Sequence, residues 1–114
     1  MLLTPPTSEE APHIAALLLA VDARFQFLHF SEAIYAERWC SSGVVETIAL
    51  RGMSEAVAAR IRVEDYPHGD PLWQEIGTVA EVIDALLALP PHGHPGAPML
   101  ARHASSSLLL PGDF

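Results

Sequence analysis

The chain has 114 residues, half of them apolar, with 6 basic and 14 acidic side chains and a formal net charge of −8. This length and apolar content predict a single domain over residues 1–114 and argue against a disordered chain. All the basic side chains are scattered arginines, which with the acidic balance argues against nucleic-acid binding. Because the chain has no lysine, its side chains cannot form a Schiff base.

The cysteine content and the hydropathy pattern predict a cytoplasmic protein. Cys40 is the single cysteine, so no internal disulfide is possible, which suits a reducing compartment. The longest apolar stretch, Ile14–Val21, falls short of the roughly 20 residues that span a bilayer. Glu9 and Glu10 precede it, where a signal peptide would carry basic residues. We therefore expect no membrane partner.

The N-terminal third favours one long helix. Residues 1–8 are expected to be a flexible lead-in, and Thr7 and Glu10 have capping-box spacing. Residues 13–42 contain no Gly, Pro or Asn, and Gly43 follows where a helix C′ glycine belongs. Apolar residues recur there at alternating intervals of four and three, with only Glu32 interrupting: Ile14, Leu18, Val21, Phe25, Leu28, Tyr35 and Trp39. The alternative interpretation places a strand around Phe25–Phe27 and a second helix capped by Ser31.

A helix of that length has a consequence for assembly. At about 1.5 Å per residue it would extend roughly 45 Å, whereas a domain of this size has a radius of gyration of about 13 Å. Its apolar stripe would project beyond its own core and require a partner. A second copy of the chain is the simplest partner, so we expect an intertwined homodimer.

Residues 44–64 have the pattern of a β-hairpin. Apolar residues alternate with others from Val57 to Val63, as in a half-buried strand. Val44–Arg51 is rich in β-formers and precedes a plausible turn at Gly52–Ser54. The alternative is a helix that starts at Ser54.

The remaining chain predicts a loop, a helix and a tail. Residues 65–77 contain two Pro and two Gly, and Thr78 with Glu81 forms a second capping box before an amphipathic helix. Pro90 and Pro91 end this helix, and residues 90–114 predict a Pro-rich extended tail. Leu108–Leu110 could anchor that tail on a partner chain. The expected fold is therefore α+β and mostly helical, with a long N-terminal helix, a β-hairpin, a second amphipathic helix and the tail.

Three features of the sequence carry residue types that occur in reactive or metal sites. His92, His94 and His103 lie in a segment rich in Pro and Gly, which favours solvated histidines over a metal centre. Cys40 is most simply a small buried apolar residue, and His29 a histidine satisfied within a helix interface. We expect no metal and no cofactor.

Aromatic and acidic residues concentrate in the predicted loop and its flanks. An aromatic ring with carboxylates can hold a cationic or amine-bearing ligand. The alternative is a rigid connection in which Trp73 fills the core. Phe27 and Phe30 lie off the main helical stripe, where they could line a groove. The candidate substrate-binding residues are Phe27, Phe30, Tyr66, His68, Asp70, Trp73 and Glu75; no catalytic residue is assigned.

The acidic chain with its apolar N-terminal run PHIAALLLAVDARFQFLHF resembles the small lysinoalanine-forming proteins of cinnamycin- and duramycin-type lanthipeptide biosynthesis. The likeness lies in size, charge, apolar run and actinobacterial-looking composition, and it carries over no site residues. It implies a protein that binds a dehydrated, cyclised peptide and promotes addition of a peptide Lys amine to dehydroalanine, mainly by preorganising the substrate. The alternative function is a non-enzymatic dimeric accessory module that binds a partner.

Overall fold

The computed structural model of the chain describes residues 7–101 as two helices and one antiparallel sheet. Each of the five strands pairs with the next strand along the chain, so the sheet order is β1-β2-β3-β4-β5. The elements are α1 (Ala11–Asp22), β1 (Gln26–His29), β2 (Ile34–Cys40), β3 (Val44–Gly52), β4 (Glu55–Arg62), a 3-10 turn (Val63–Asp65), β5 (Trp73–Gly77) and α2 (Val79–Ala88).

The first helix ends 20 residues before the predicted limit, at Asp22. The N–H of Phe25 bonds the carbonyl of Ala20, and the N–H of Arg24 bonds that of Val21, which is the Schellman pattern. Arg24 takes the left-handed conformation there, with φ 76°. Glycine usually occupies this position at the end of a helix. Because Arg24 occupies it here, the sequence pattern does not show where α1 ends.

Two strands replace the second half of the predicted helix. β1 and β2 form a hairpin whose short turn is closed by the N–H of Phe30 on the carbonyl of Ala33, 2.8 Å away. Neither the single long helix nor the second helix capped by Ser31 is present in residues 7–101, although the alternative correctly placed a strand near Phe27. Gly43 lies in the β2–β3 turn with φ 99°, and is not a helix cap.

The predicted hairpin over residues 44–64 is confirmed. β3 and β4 pair in register from Val44 opposite Arg62 to Leu50 opposite Ala56, and a bulge precedes the turn at Met53. Both strands lie in the middle of the sheet and bury residues on both faces. That position explains why their sequences are apolar almost throughout.

The second capping box is also confirmed. Thr78 Oγ1 accepts the N–H of Glu81 at 3.2 Å, and the Glu81 carboxylate accepts the N–H of Thr78 at 2.9 Å. α2 buries one apolar face against α1 and the inner face of the sheet. The main core lies between them and is formed by Ala16, Ala20, Phe25, Ala36, Ile48, Leu50, Ala56, Ala58, Val79, Val82, Ile83 and Leu86.

A buried ionic group joins the ends of both helices to the sheet. Glu46 is 2% exposed and bonds the guanidinium groups of Arg38 and Arg60. Arg38 Nη1 also donates to the carbonyl of Ala23 at 2.8 Å, and Arg60 Nη1 to that of Pro90 at 2.7 Å. These carbonyls follow the C-termini of α1 and α2, where helix dipoles favour positive charge.

The expected fold class needs correction. The structure is α+β, but the five-stranded sheet and not helix dominates residues 7–101. Because the 30-residue helix does not form, the length argument for an intertwined homodimer no longer applies. The chain runs through turns without helix or strand from Leu89 to Ala101. Residues 1–6 of the lead-in, His103 and Leu108–Leu110 lie outside the described residues. Neither helix of residues 7–101 is long and apolar enough to cross a bilayer.

Candidate functional site on the outer face of the sheet

The face of the sheet turned away from the helices carries a hydrogen-bonded group of aromatic and acidic side chains. We call Tyr35, Glu37, Trp39 and Tyr66 the outer cluster. The Tyr66 hydroxyl donates to Glu37 Oε2 at 2.8 Å, and the hydroxyls of Tyr35 and Tyr66 lie 3.2 Å apart. Since the single Tyr66 proton bonds Glu37, Tyr35 is the donor between the phenols.

Strand geometry places three of these side chains together. Side chains alternate between the two faces of a strand, so Tyr35, Glu37 and Trp39 of β2 share one face. Tyr66 reaches that face from the far side of β4, just after the 3-10 turn. Its backbone N–H bonds the carbonyl of Arg62 at 3.1 Å, which holds the loop against the sheet.

The aromatic rings differ in exposure. Tyr35 is fully buried, whereas Trp39 is 54% exposed. The rings of Trp39 and Tyr66 meet edge to face, with centroids 5.1 Å apart and an interplanar angle of 68°. Glu37 and Tyr66 are half-buried. The cluster is therefore anchored at Tyr35 and open to solvent at Trp39.

Both phenols stay protonated at neutral pH. Burial is the main cause that raises the pKa of Tyr35, followed by its hydrogen bond to Tyr66. Burial likewise raises the pKa of Tyr66; the hydrogen bond from Tyr35 acts in the opposite direction, and the bond to Glu37 acts with burial. Tyr66 is consequently a fixed proton donor to Glu37.

A cleft borders the exposed side of the cluster. Its volume is about 450 Å³. Glu37 and Trp39 line it from β2, Gln26 lines it from the start of β1, and Arg24 from the turn between α1 and β1. The remaining lining residues are Ala23, Arg38, Cys40 and Ser41. The Arg38 guanidinium is paired with Glu46, and the Glu37 carboxylate beside the exposed Trp39 indole is the part of the cleft that suits an organic ammonium group.

The structure separates the residues that the sequence proposed as a binding site. Tyr66 belongs to the outer cluster, but Trp73 packs against the main core and Glu75 is exposed on β5. His68 and Asp70 are exposed in the loop between them. The two candidate phenylalanines are also separated from each other. Phe27 packs against the main core, and Phe30 is 42% exposed in the β1–β2 turn.

Sequence reasoning missed Glu37 altogether as a site residue and assigned Tyr35 and Trp39 to a helical stripe. The signal that could have found them is their i, i+2, i+4 spacing, which puts an acid between two aromatics on one strand face.

The other reactive residues do not assemble. Within residues 7–101, no group of three or more His, Cys, Asp or Glu side chains could hold a metal ion. His29 is exposed at the end of β1. Cys40 ends β2, and burial followed by the charge of Glu46 raises the pKa of its thiol. The thiol is thus poorly suited to act as a nucleophile at neutral pH.

Comparison with known proteins finds no matching family model, no similar curated protein and no similar solved structure.

Proposed function

We propose that the protein binds a peptide through an amine-bearing side chain, which the outer cluster receives between Glu37 and Trp39. The observation that carries this proposal is the hydrogen bond from the protonated Tyr66 hydroxyl to Glu37 beside the exposed Trp39 ring. Tyr66 orients the carboxylate while leaving further lone pairs for a ligand N–H. The acidic chain, with a net charge of −8, would also attract a cationic peptide.

The expected affinity is modest. A charge-assisted hydrogen bond to a carboxylate contributes about 1.5–3 kcal/mol. An indole face adds about 0.5–1 kcal/mol to a cation at an exposed site. Together these contributions correspond to discrimination of roughly 30-fold to 1,000-fold between a lysine and an uncharged isostere of similar length.

Calorimetric titration with two small ligands tests the binding proposal. Nα-acetyl-lysine methylamide is expected to bind, and Nα-acetyl-norleucine methylamide, which lacks the amine, is not. The substitution Glu37→Gln should weaken lysine binding by about tenfold or more. Glu75→Gln is the matched control, because Glu75 is an exposed carboxylate on the other face of the sheet. Equal binding of the two ligands, or equal losses from the two substitutions, would contradict the proposal.

We propose that the reaction served by this site is lysinoalanine formation within a dehydrated, cyclised peptide. The Lys nitrogen forms a bond to Cβ of dehydroalanine, the carbon–carbon π bond breaks, and Cα gains a proton. Glu37 accepts one proton from the ammonium before the amine attacks and returns a proton to Cα afterwards. The carboxylate is regenerated and every atom is retained, so the step requires no oxidant or cofactor. Holding the amine near the alkene supplies most of the acceleration, since well-oriented intramolecular reactions can gain about 7–11 kcal/mol.

Thiol labelling of the peptide tests the reaction. The crosslink preserves mass, so its formation is followed as loss of dehydroalanine that can add a thiol. The expected result is faster loss with the protein than without it, and slower loss with Glu37→Gln at saturating peptide. Unchanged labelling despite measured binding would contradict the reaction and leave the binding proposal standing.

A homodimeric accessory module is the second candidate, and the surface of α1 favours it. Leu18, Leu19 and Val21 are each more than half exposed. An apolar cleft of about 230 Å³ runs beside them, where Phe27 and Leu50 contribute to its floor. Light scattering of the wild type and of Leu18→Ser tests this candidate. A wild-type dimer that the substitution dissociates would support it, whereas a monomeric wild type would contradict it.

A further inference from the structure

The first strand is shorter than its neighbour, which leaves part of β2 uncovered. β1 pairs with β2 only from Gln26 opposite Glu37 to His29 opposite Ile34. In that register, an extension of β1 would place Arg24 opposite Trp39. Arg24 instead adopts the left-handed conformation at the end of α1, so the chain joins the sheet only after this residue. The edge of β2 beside Trp39 consequently has no strand partner in the described part of the chain.

Hydrogen-bond alternation shows which backbone groups face this edge. The N–H of Phe30 bonds the carbonyl of Ala33, so odd-numbered residues of β2 direct their backbone groups toward β1. On the β3 side of the sheet, the carbonyl of Gly43 accepts the N–H of Val63, so the odd-numbered residues of β3 direct their backbone groups toward β4. The even-numbered residues of β3 therefore bond the even-numbered residues of β2. Both observations agree that the odd-numbered residues of β2 direct their backbone N–H and C=O groups toward β1 and away from β3. The N–H and C=O of Trp39 therefore point into the cleft that borders the outer cluster.

We infer that the ligand is an extended peptide that adds to this edge as a short strand antiparallel to β2, with one residue paired to Trp39. This inference rests on the proposed amine binding and specifies the form of its ligand. The paired residue would exchange two backbone hydrogen bonds with Trp39, as β1 does with Glu37.

Side-chain placement then selects a basic residue at the paired position. Directly opposed residues of an antiparallel pair direct their side chains to the same face, so this side chain lies on the outer face beside Trp39. Glu37 is its diagonal neighbour, at a distance of about 7–8 Å between backbones that a lysine side chain can bridge. Charge complementarity between Glu37 and the amine fixes the register of the added strand.

Backbone methylation tests the inference. The probe is the acetylated peptide amide Thr-Val-Thr-Val-Lys, in which Lys comes last because residues after it would overlap Gln26, the partner of Glu37. It is compared with two versions that each carry one N-methyl group. Methylation at Lys removes the N–H that would bond the Trp39 carbonyl. Methylation at the preceding Val is the matched control, because adjacent N–H groups of a strand point in opposite directions. Affinities are measured by calorimetry, and the Trp39 amide proton is followed by NMR.

The expected result is a loss of about tenfold on methylation at Lys, little change for the control, and a downfield shift of the Trp39 amide on binding. Equal affinities for both methylated peptides would overturn strand addition. If Nα-acetyl-lysine methylamide still bound in that case, amine recognition would stand without it. Absence of binding by this small probe and by the pentapeptides would instead overturn the proposed function, and the inference with it.

Discussion

Removal of the buried charge at Glu46 should cost more stability than removal of any surface carboxylate. Glu46 is 2% exposed and Arg60 3%, and their guanidinium and carboxylate groups meet at 2.7 and 2.9 Å. Arg38 bonds the other carboxylate oxygen while its Nη1 holds the end of α1. Glu46→Gln leaves two buried or half-buried cations without a counter-charge and turns an amide N–H₂ toward one of them.

Breaking a buried ion pair by removing one partner costs about 3–5 kcal/mol, which sets the expected loss of unfolding free energy. The matched control is Asp65→Asn. Asp65 also pairs with an arginine, Arg62, at 2.7 Å, but the two side chains are 28% and 41% exposed. A pair this exposed contributes at most about 1 kcal/mol, because water screens it.

Urea unfolding at pH 7, followed by circular dichroism, provides the comparison. Glu46→Gln should lower the midpoint far more than Asp65→Asn, with an unchanged slope for both. A Glu46→Gln variant that is unfolded without urea while Asp65→Asn stays folded also meets the expectation. Losses below about 1 kcal/mol for both variants would refute the view that the ionic group joins the helices to the sheet.

Three further substitutions test local features of the fold. Arg24→Gly should stabilise the protein by up to about 1 kcal/mol in thermal unfolding, because the left-handed conformation costs a residue other than glycine about 1–2 kcal/mol and the extra backbone entropy of glycine offsets about 0.5–1 kcal/mol of that. A loss of stability would contradict the left-handed helix end at Arg24. Thr47→Val should raise the melting temperature, because the Thr47 hydroxyl is buried with no hydrogen-bond partner in residues 7–101. A buried unpaired polar group costs about 1–3 kcal/mol of stability. A lower melting temperature would contradict the view that this hydroxyl is unpaired. The bond from Thr78 N–H lowers the pKa of Glu81 below 4.5, so its stabilisation is present above pH 4.5 and lost as pH falls through the folded pKa. Glu81→Gln should therefore lose less stability than wild type between pH 7 and 3, and equal losses would count against the capping box.

The sequence predicted local structure best where local signals agree. Thr78 and Glu81 mark the start of α2 because a capping box precedes an amphipathic run. The β3–β4 hairpin was predictable because period-two alternation in β4 follows a glycine turn. In both segments, the residues at the boundary of the helix or strand are of types that commonly cap helices or form turns.

The long-helix prediction failed because the actual boundaries lack such residues. Arg24 ends α1 in a conformation that usually selects glycine, and the β1–β2 turn around Ser31 and Glu32 contains neither Gly nor Asn. The alternation of apolar and polar residues that indicates a strand is also difficult to recognise in β2. Its inner face carries Arg38, which is paired with Glu46 from the next strand, so a charged residue occupies a position where the pattern requires an apolar one.

The candidate site was beyond local pattern reasoning for a related reason. Tyr66 was identified as a candidate, yet its partners Tyr35 and Glu37 lie 31 and 29 positions away along the chain. Only the strand order brings them together. The prediction of one loop over residues 65–77 grouped Tyr66 with Trp73; the structure instead forms β5 at Trp73–Gly77 and places Trp73 on the inner face of the sheet.

The most direct test of amine recognition by the outer cluster is an NMR titration of the isotope-labelled protein with the lysine pentapeptide. The proposal predicts that the largest chemical-shift changes occur at Glu37, at the indole and backbone of Trp39, and at Tyr66. Changes centred on Leu18 and Val21 of α1, with the outer cluster unaffected, would contradict it and favour the accessory-module alternative.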